Sequence, residues 1–181
     1  MSQAVPYALE GAIDGVELRR YPPVVLATVR GASDNGAFRI LFQYISGNNR
    51  STRKIPMTAP VISSGQKIEM TAPVLSSPGS FSFVLPAELG DEVPVPLDSR
   101  ASLERVPERR MAALRFRGVA DARSVAKNAR RLLDLLAQQG IATEGDVLLM
   151  RYNAPFTPGF LRRNEVAIVL RPVDSPEAQP R

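Results

Sequence analysis

The chain has 181 residues, 44% of them hydrophobic and 23% charged, and a net charge of +5 carried by twenty arginines and three lysines. That length suits one domain with a sizeable core. Histidine and cysteine are both absent, so disulfides, thiolate metal sites, serine–histidine triads and histidine-ligated haem cannot be built from this chain alone.

No run reaches the roughly 18 apolar residues of a membrane span. The first residues have neither the basic start nor the apolar stretch of a secretory signal. A cytoplasmic protein with no membrane span is expected. The pairs Arg19-Arg20, Arg109-Arg110, Arg130-Arg131 and Arg162-Arg163 each have acids nearby, a pattern that predicts paired, solvated faces and no nucleic-acid partner.

In chain order, Val16–Gly31 reads as two short strands around a proline bend, ending in Arg30-Gly31. A helix follows from about Asp34 to Ser46. Its apolar residues Ala37, Phe38, Ile40, Leu41, Phe42, Tyr44 and Ile45 sweep about 200° of the wheel, and only Arg39, Gln43 and Ser46 mark a wet side. One face must bury against a sheet. The remaining apolar flank needs a cover: a loop of the chain, a second subunit or a ligand.

An octapeptide then appears almost twice, as Lys54–Val61 and Lys67–Val74, differing only at Pro56 and Glu69. Strand alternation puts Ile55, Met57, Ala59 and Val61 on one face, and Ile68, Met70, Ala72 and Val74 on one face of the twin. Ser63–Gln66 suits a four-residue hairpin turn, which would set Met57 and Met70 on one apolar wall. Pro86–Ser99, rich in proline and acid, reads as a connection.

Leu103–Gly118 aligns without gaps to Val16–Gly31. A second helix, about Asp121 to Gln138, has Asp121 as N-cap, Gly140 as its stop and an ordinary stripe of Val125, Ala129, Leu132, Leu133 and Leu136. The strand Val147–Tyr152 leads into the loop Asn153–Asn164, which carries Phe156, Phe160 and Leu161, and a last strand spans Glu165–Arg171. Together these elements predict an α+β fold. A distorted antiparallel β-barrel or sheet would carry two flanking helices and be built as two pseudo-symmetric βαβ-type halves, about 7–85 and 101–171. Residues 1–171 form a single domain, and 172–181 are expected as a disordered tail.

Arg19-Arg20-Tyr21-Pro22, the doubled Met-Thr-Ala-Pro-Val and the closing Tyr152-Asn-Ala-Pro-Phe…Phe160-Leu-Arg-Arg-Asn-Glu-Val166 together resemble the SOUL haem-binding protein family, over about residues 7 to 171. The resemblance implies a distorted antiparallel barrel built from two related halves, akin to gyrase-inhibitor-like effector domains. It also implies reversible, non-covalent binding of haem or another porphyrin in a groove beside the first helix and the loop before the last strand. On this chain that groove would be walled by Phe38, Leu41, Phe42, Ile45 and Phe156, with Arg162 and Arg163 nearest in sequence for the ligand's carboxylates. The histidine ligand assigned in some animal members cannot exist here, and Asn35, Gln43 and Thr157 stand where other members carry basic residues.

Several residues carry two readings. Met57 and Met70 can ligate iron or pack a core; Tyr44 and Tyr152 can supply a phenolate or half-bury their rings. Glu165 can work as a base in a central cleft or pair with Arg162 or Arg163 to fix the loop. The expected function is to hold or deliver a small planar hydrophobic ligand as a monomer or weak oligomer, without catalysis. One rival is a protein–protein module using the flank of the first helix; a second is a small-molecule hydrolase using Glu165.

Overall fold

A computed structural model describes residues 3–50, 65–153 and 156–172. The first octapeptide with Met57, the first half of its hairpin turn, and the tail beyond Pro172 lie outside these described residues. Among them, nine strands form one antiparallel sheet: Ala8–Ile13 (β1), Val16–Tyr21 (β2), Val24–Arg30 (β3), Val74–Ser77 (β4), Ser80–Val84 (β5), Ala101–Val106 (β6), Arg109–Arg117 (β7), Thr143–Arg151 (β8) and Arg163–Leu170 (β9). Their order is β6-β3-β5-β4-β8-β9-β7-β2-β1.

Proline breaks the two long strand runs because it offers no N–H to a ladder. Pro22-Pro23 separates β2 from β3, and Pro107-Glu108 separates β6 from β7. Neither break makes a hairpin. Tyr21 pairs with Arg109 and Val24 with Val106, so at each bend the chain passes from one end of the sheet to the other. Six strand spacings would part β2 from β3 by about 29 Å in a flat sheet, yet two linking residues reach no more than about 11 Å. The sheet must therefore curl. It stays open, not closed into a barrel.

Each bent strand pair is followed by a helix, Asp34–Ile45 (α1) and Ala122–Gln138 (α2). The Ser33 side chain caps α1 by accepting from the Gly36 N–H, and Asp121 caps α2 by accepting from the Ser124 N–H. α1 packs on Ala27, Val29, Phe81 and Phe83; α2 packs on Ala112, Leu114, Val166 and Ile168. Strand register puts both contacts on the same sheet face, with Val29, Phe81, Ser76, Leu149, Val166, Leu114 and Val16 lying in one row across it. The opposite face holds Leu26, Met111, Ala113, Met150 and Ala167. Val5 and Tyr7 pack on that helix-free face; Gln3–Ala4 pairs in parallel with Thr71–Ala72, and the Val5 N–H donates to the Ala72 carbonyl at 2.9 Å.

The second octapeptide departs from its predicted strand. Only Thr71–Ala72 and Val74–Ser77 are strands, parted by Pro73, while 67–70 carry none. Ile68 and Met70 pack against the α1 cluster, and the Ile68 N–H donates to the Ile45 carbonyl at 2.7 Å at the helix end. Asn49 clips the same corner. Its amide donates to the Tyr44 and Gln66 carbonyls and its Oδ1 accepts from the Gln66 N–H. Here the two chain passes touch backbone to backbone, since a Cβ on Gly65 would sit 1.6 Å from the Gly47 carbonyl oxygen. Gly65→Ala is expected to cost roughly 1–3 kcal/mol, as forced overpacking does. A urea midpoint unchanged from wild type would show that this corner gives way freely.

Candidate functional site

The polar centre of the helix-free face is built across three strands. Arg19 on β2 stands opposite Met111 of β7, and Ala113 of β7 stands opposite both Glu17 and Ala167. Those two alanines leave a shallow lane, and the Arg19 side chain lies along it to reach Glu165 on β9. Its Nη1 and Nη2 donate to the Glu165 carboxylate at 2.6 and 3.1 Å. Both side chains are sealed, Arg19 at 1% and Glu165 at 0% exposure. Arg19 also donates to Glu17 and to the Tyr21 hydroxyl and lies 4.2 Å from the Tyr7 ring centre. Glu165 accepts further from Tyr152 Oη and Arg163 Nη2, both at 2.7 Å.

Burial alone would raise the Glu165 carboxyl, but the hydrogen bonds from Arg19, Arg163 and Tyr152 outweigh it and hold the group down to about 2. A base held that low takes up no proton at neutral pH. Burial pushes the Tyr152 phenol up, and its hydroxyl already serves Glu165. The predicted pairing of Glu165 with a loop arginine is met by Arg163. The stronger partner, Arg19, is one that the sequence hides. Glu17, Arg19 and Tyr21 alternate with apolar Val16 and Leu18, a pattern that reads as a solvent face.

The flank of α1 divides. Leu41 and Ile45, predicted as groove walls, are buried in the core at 0% and 4% exposure and face the sheet. The loops and strands below α1 close over that part of its wide stripe. Phe38 is half-buried between Phe83, edge-on at 5.5 Å, and Phe42, stacked at 5.9 Å; Phe42 itself is 49% exposed. Tyr44 is buried, its hydroxyl donates to the Pro94 carbonyl at 2.8 Å, and burial pushes its phenol up. Met70 is a packing residue of the α1 cluster.

Arg151, at the end of β8, donates to Ser76 Oγ and to Asp34 in the first turn of α1, both at 2.9 Å. The following loop therefore starts beside α1. It carries Phe156 at 89% exposure, with Phe160 and Leu161 also exposed. The predicted carboxylate clamps are differently engaged. Arg162 Nε donates to the Thr157 carbonyl and braces the loop, while Arg163 is bound to Glu165 and stacks 4.3 Å over Tyr152. Exposed Arg39, on the wet side that the sequence marks, lies three residues before Phe42 on the helix, hence beside it. Nothing in the sequence but that spacing could have singled it out as the cation at Phe42.

A family model described as SOUL heme-binding protein matches residues 2–169. Among solved structures, the C-terminal domain of EcmrR superposes with a TM-score of 0.58 at 11% identity, over 92% of this chain and 99% of that one. A hydrolase from Listeria innocua gives 0.55 at 12% identity, over 90% and 94%. At such identities the likeness is one of fold alone. No curated protein matches the chain.

The Glu165 centre makes a pH-dependent contribution to stability. A carboxyl lowered on folding stabilises the protein above its unfolded value near 4.5 and loses that effect as pH falls toward about 2. Glu165→Gln takes from buried Arg19 the more deeply buried of its two carboxylates, leaving Glu17, and is expected to cost roughly 3–5 kcal/mol at pH 7. It should also flatten the acid limb of stability below pH 4.5. Chemical denaturation across pH 2–7 reads both effects, and equal stability of the two proteins at neutral pH would refute the assignment.

Proposed function

The chain belongs to the SOUL haem-binding protein family, and on that premise we propose that it holds a tetrapyrrole reversibly against the flank of α1 and passes it on unchanged. The observation that carries this reading is the stacked Phe38–Phe42 pair at 5.9 Å, with the Phe42 ring half open to solvent. A flat ring laid on these side chains gains about 25 cal/mol for each Å² of apolar surface removed from water. Arg39, next to Phe42, is the cation best placed to orient a carboxylate there.

The residues fit a flat apolar guest and offer no strong iron ligand. The chain has no histidine or cysteine, Tyr44 is committed to Pro94, and Tyr152 to Glu165. Bound haem would supply only its colour and its affinity for ligands here; the protein would orient it and shield one side. Weak axial ligation favours exchange, which suits delivery. The related halves read from the sequence give the sheet its two helices, and only the first presents this aromatic flank. We expect the protein to act in the cytoplasm as a monomer or weak oligomer. Exposed Phe156, Phe160 and Leu161 favour one alternative, docking of this loop on a partner protein.

Titration of haemin should give a saturable change in the Soret band at micromolar protein, and Phe42→Ser should weaken binding about tenfold, equivalent to about 1.4 kcal/mol. Tyr44→Phe should leave the spectrum of the complex unchanged. A flat titration removes the tetrapyrrole from this reading, and a Tyr44-dependent spectrum removes the claim of weak ligation.

A further inference from the structure

A cavity of about 560 Å³ opens at the proline bends, with Val5, Val24, Val84 and Val106 of the helix-free face lining it. Pro22, Pro23, Pro86 and Pro107 form much of its wall, with Val24 and Val84 at its floor. Four residues of fixed φ make a rigid, preformed wall, and the volume lies in the range of small-molecule pockets. The Thr71 hydroxyl, which also borders the space, donates to the Val84 carbonyl and so offers no free donor to a guest. At the rim, Arg105 is paired with Asp91 at 3.2 Å.

Val5, Val24 and Val84 are shared with a second, smaller void of about 20 Å³, lined also by Tyr21, Met111, Met150 and Arg109. Arg109 is half-buried there, and its side chain makes no hydrogen bond or ion pair among the described residues. Burial lowers its guanidinium, and the charge of Glu104, acting without a direct contact, offsets this only in part. The other buried cation of this face, Arg19, is matched by two carboxylates. A half-buried guanidinium with no side-chain acceptor among the described residues has donors to spare, and a carboxylate or sulfonate would meet them with charge-assisted hydrogen bonds.

We propose that these two spaces form a second ligand site, for an elongated apolar molecule with a single acidic head. The tail occupies the proline-walled cavity, and the head reaches Arg109 past Val5, whose side chain forms the partition. Val5 belongs to the amino-terminal segment that lies across this face, its backbone tied to Ala72, so a turn of its small side chain is the least costly way to join the spaces. One free guanidinium suits one acid group, which separates this guest from a tetrapyrrole with two. The site goes beyond the α1 reading and does not depend on it.

The test uses two fluorescent probes on the full chain: 1-anilinonaphthalene-8-sulfonate, apolar with one anionic group, and uncharged N-phenyl-1-naphthylamine. Both should bind with one saturable site. Arg109→Gln should weaken the sulfonate at least tenfold while changing the neutral probe less than twofold. Ala87→Trp, at an exposed position on the rim, should block both probes and leave the haemin titration as in wild type. Val5→Ala should tighten the sulfonate. Equal loss of both probes in Arg109→Gln, or undiminished binding in Ala87→Trp with a native circular dichroism spectrum, overturns the proposal. Loss of haemin binding in Ala87→Trp overturns the separation of the two sites.

Discussion

An ion pair removed from water, Arg19 with Glu165, ties the second strand of the sheet to the last. Taking two charges out of solvent costs several kcal/mol per ion, recovered only when the remaining donors and acceptors are also satisfied. That condition is largely met: Glu17 and Tyr21 complete Arg19, and Arg163 and Tyr152 complete Glu165. Two alanines, at 113 and 167, make the geometry possible because a larger side chain at either would lift the guanidinium off the sheet. A half-satisfied network of this kind would be worse than an apolar core. The motif residues around 19–22 and 162–166 therefore meet in space as one structural unit.

That unit closes one end of the helix-free face and leaves the other end open. Where charge is concentrated, the Glu165 carboxylate is engaged on every side, and Arg163 Nε is the one buried side-chain nitrogen or oxygen left without a partner among the described residues. Where proline and valine predominate, the packing leaves space. The curl imposed by the two proline bends is the cause, since it brings Pro22, Pro23 and Pro107 together around a hollow that no helix fills. Both helices are needed on the opposite face to cover its apolar rows.

The helices were legible for a simple reason: a period of 3.6, joined in the second by a cap at Asp121, is a local signal. The walls of the proposed groove were only half legible. A stripe as wide as that of α1 tells how much surface must be covered but not which part the sheet takes, so Leu41 and Ile45 became core while Phe42 stayed open. In the second octapeptide, alternation suggested a strand, but Pro73 lacks the N–H to continue a ladder and residues 67–70 pack on α1 instead. Arg19 looked like a surface residue because charge in an alternating strand ordinarily faces water.

By itself the sequence determined what is absent and where the chain must turn. Without histidine or cysteine no imidazole or thiolate can hold a metal, and prolines at 22, 23 and 107 interrupt their strands whatever surrounds them. Its motifs also named the family. Only the tertiary structure decided that β2 pairs with β7 and β3 with β6, that Arg19 reaches Glu165, and that the Arg109 side chain has no direct ion pair among the described residues. These are contacts between residues far apart in the chain. They depend on how the sheet curls, and no local period or spacing records that.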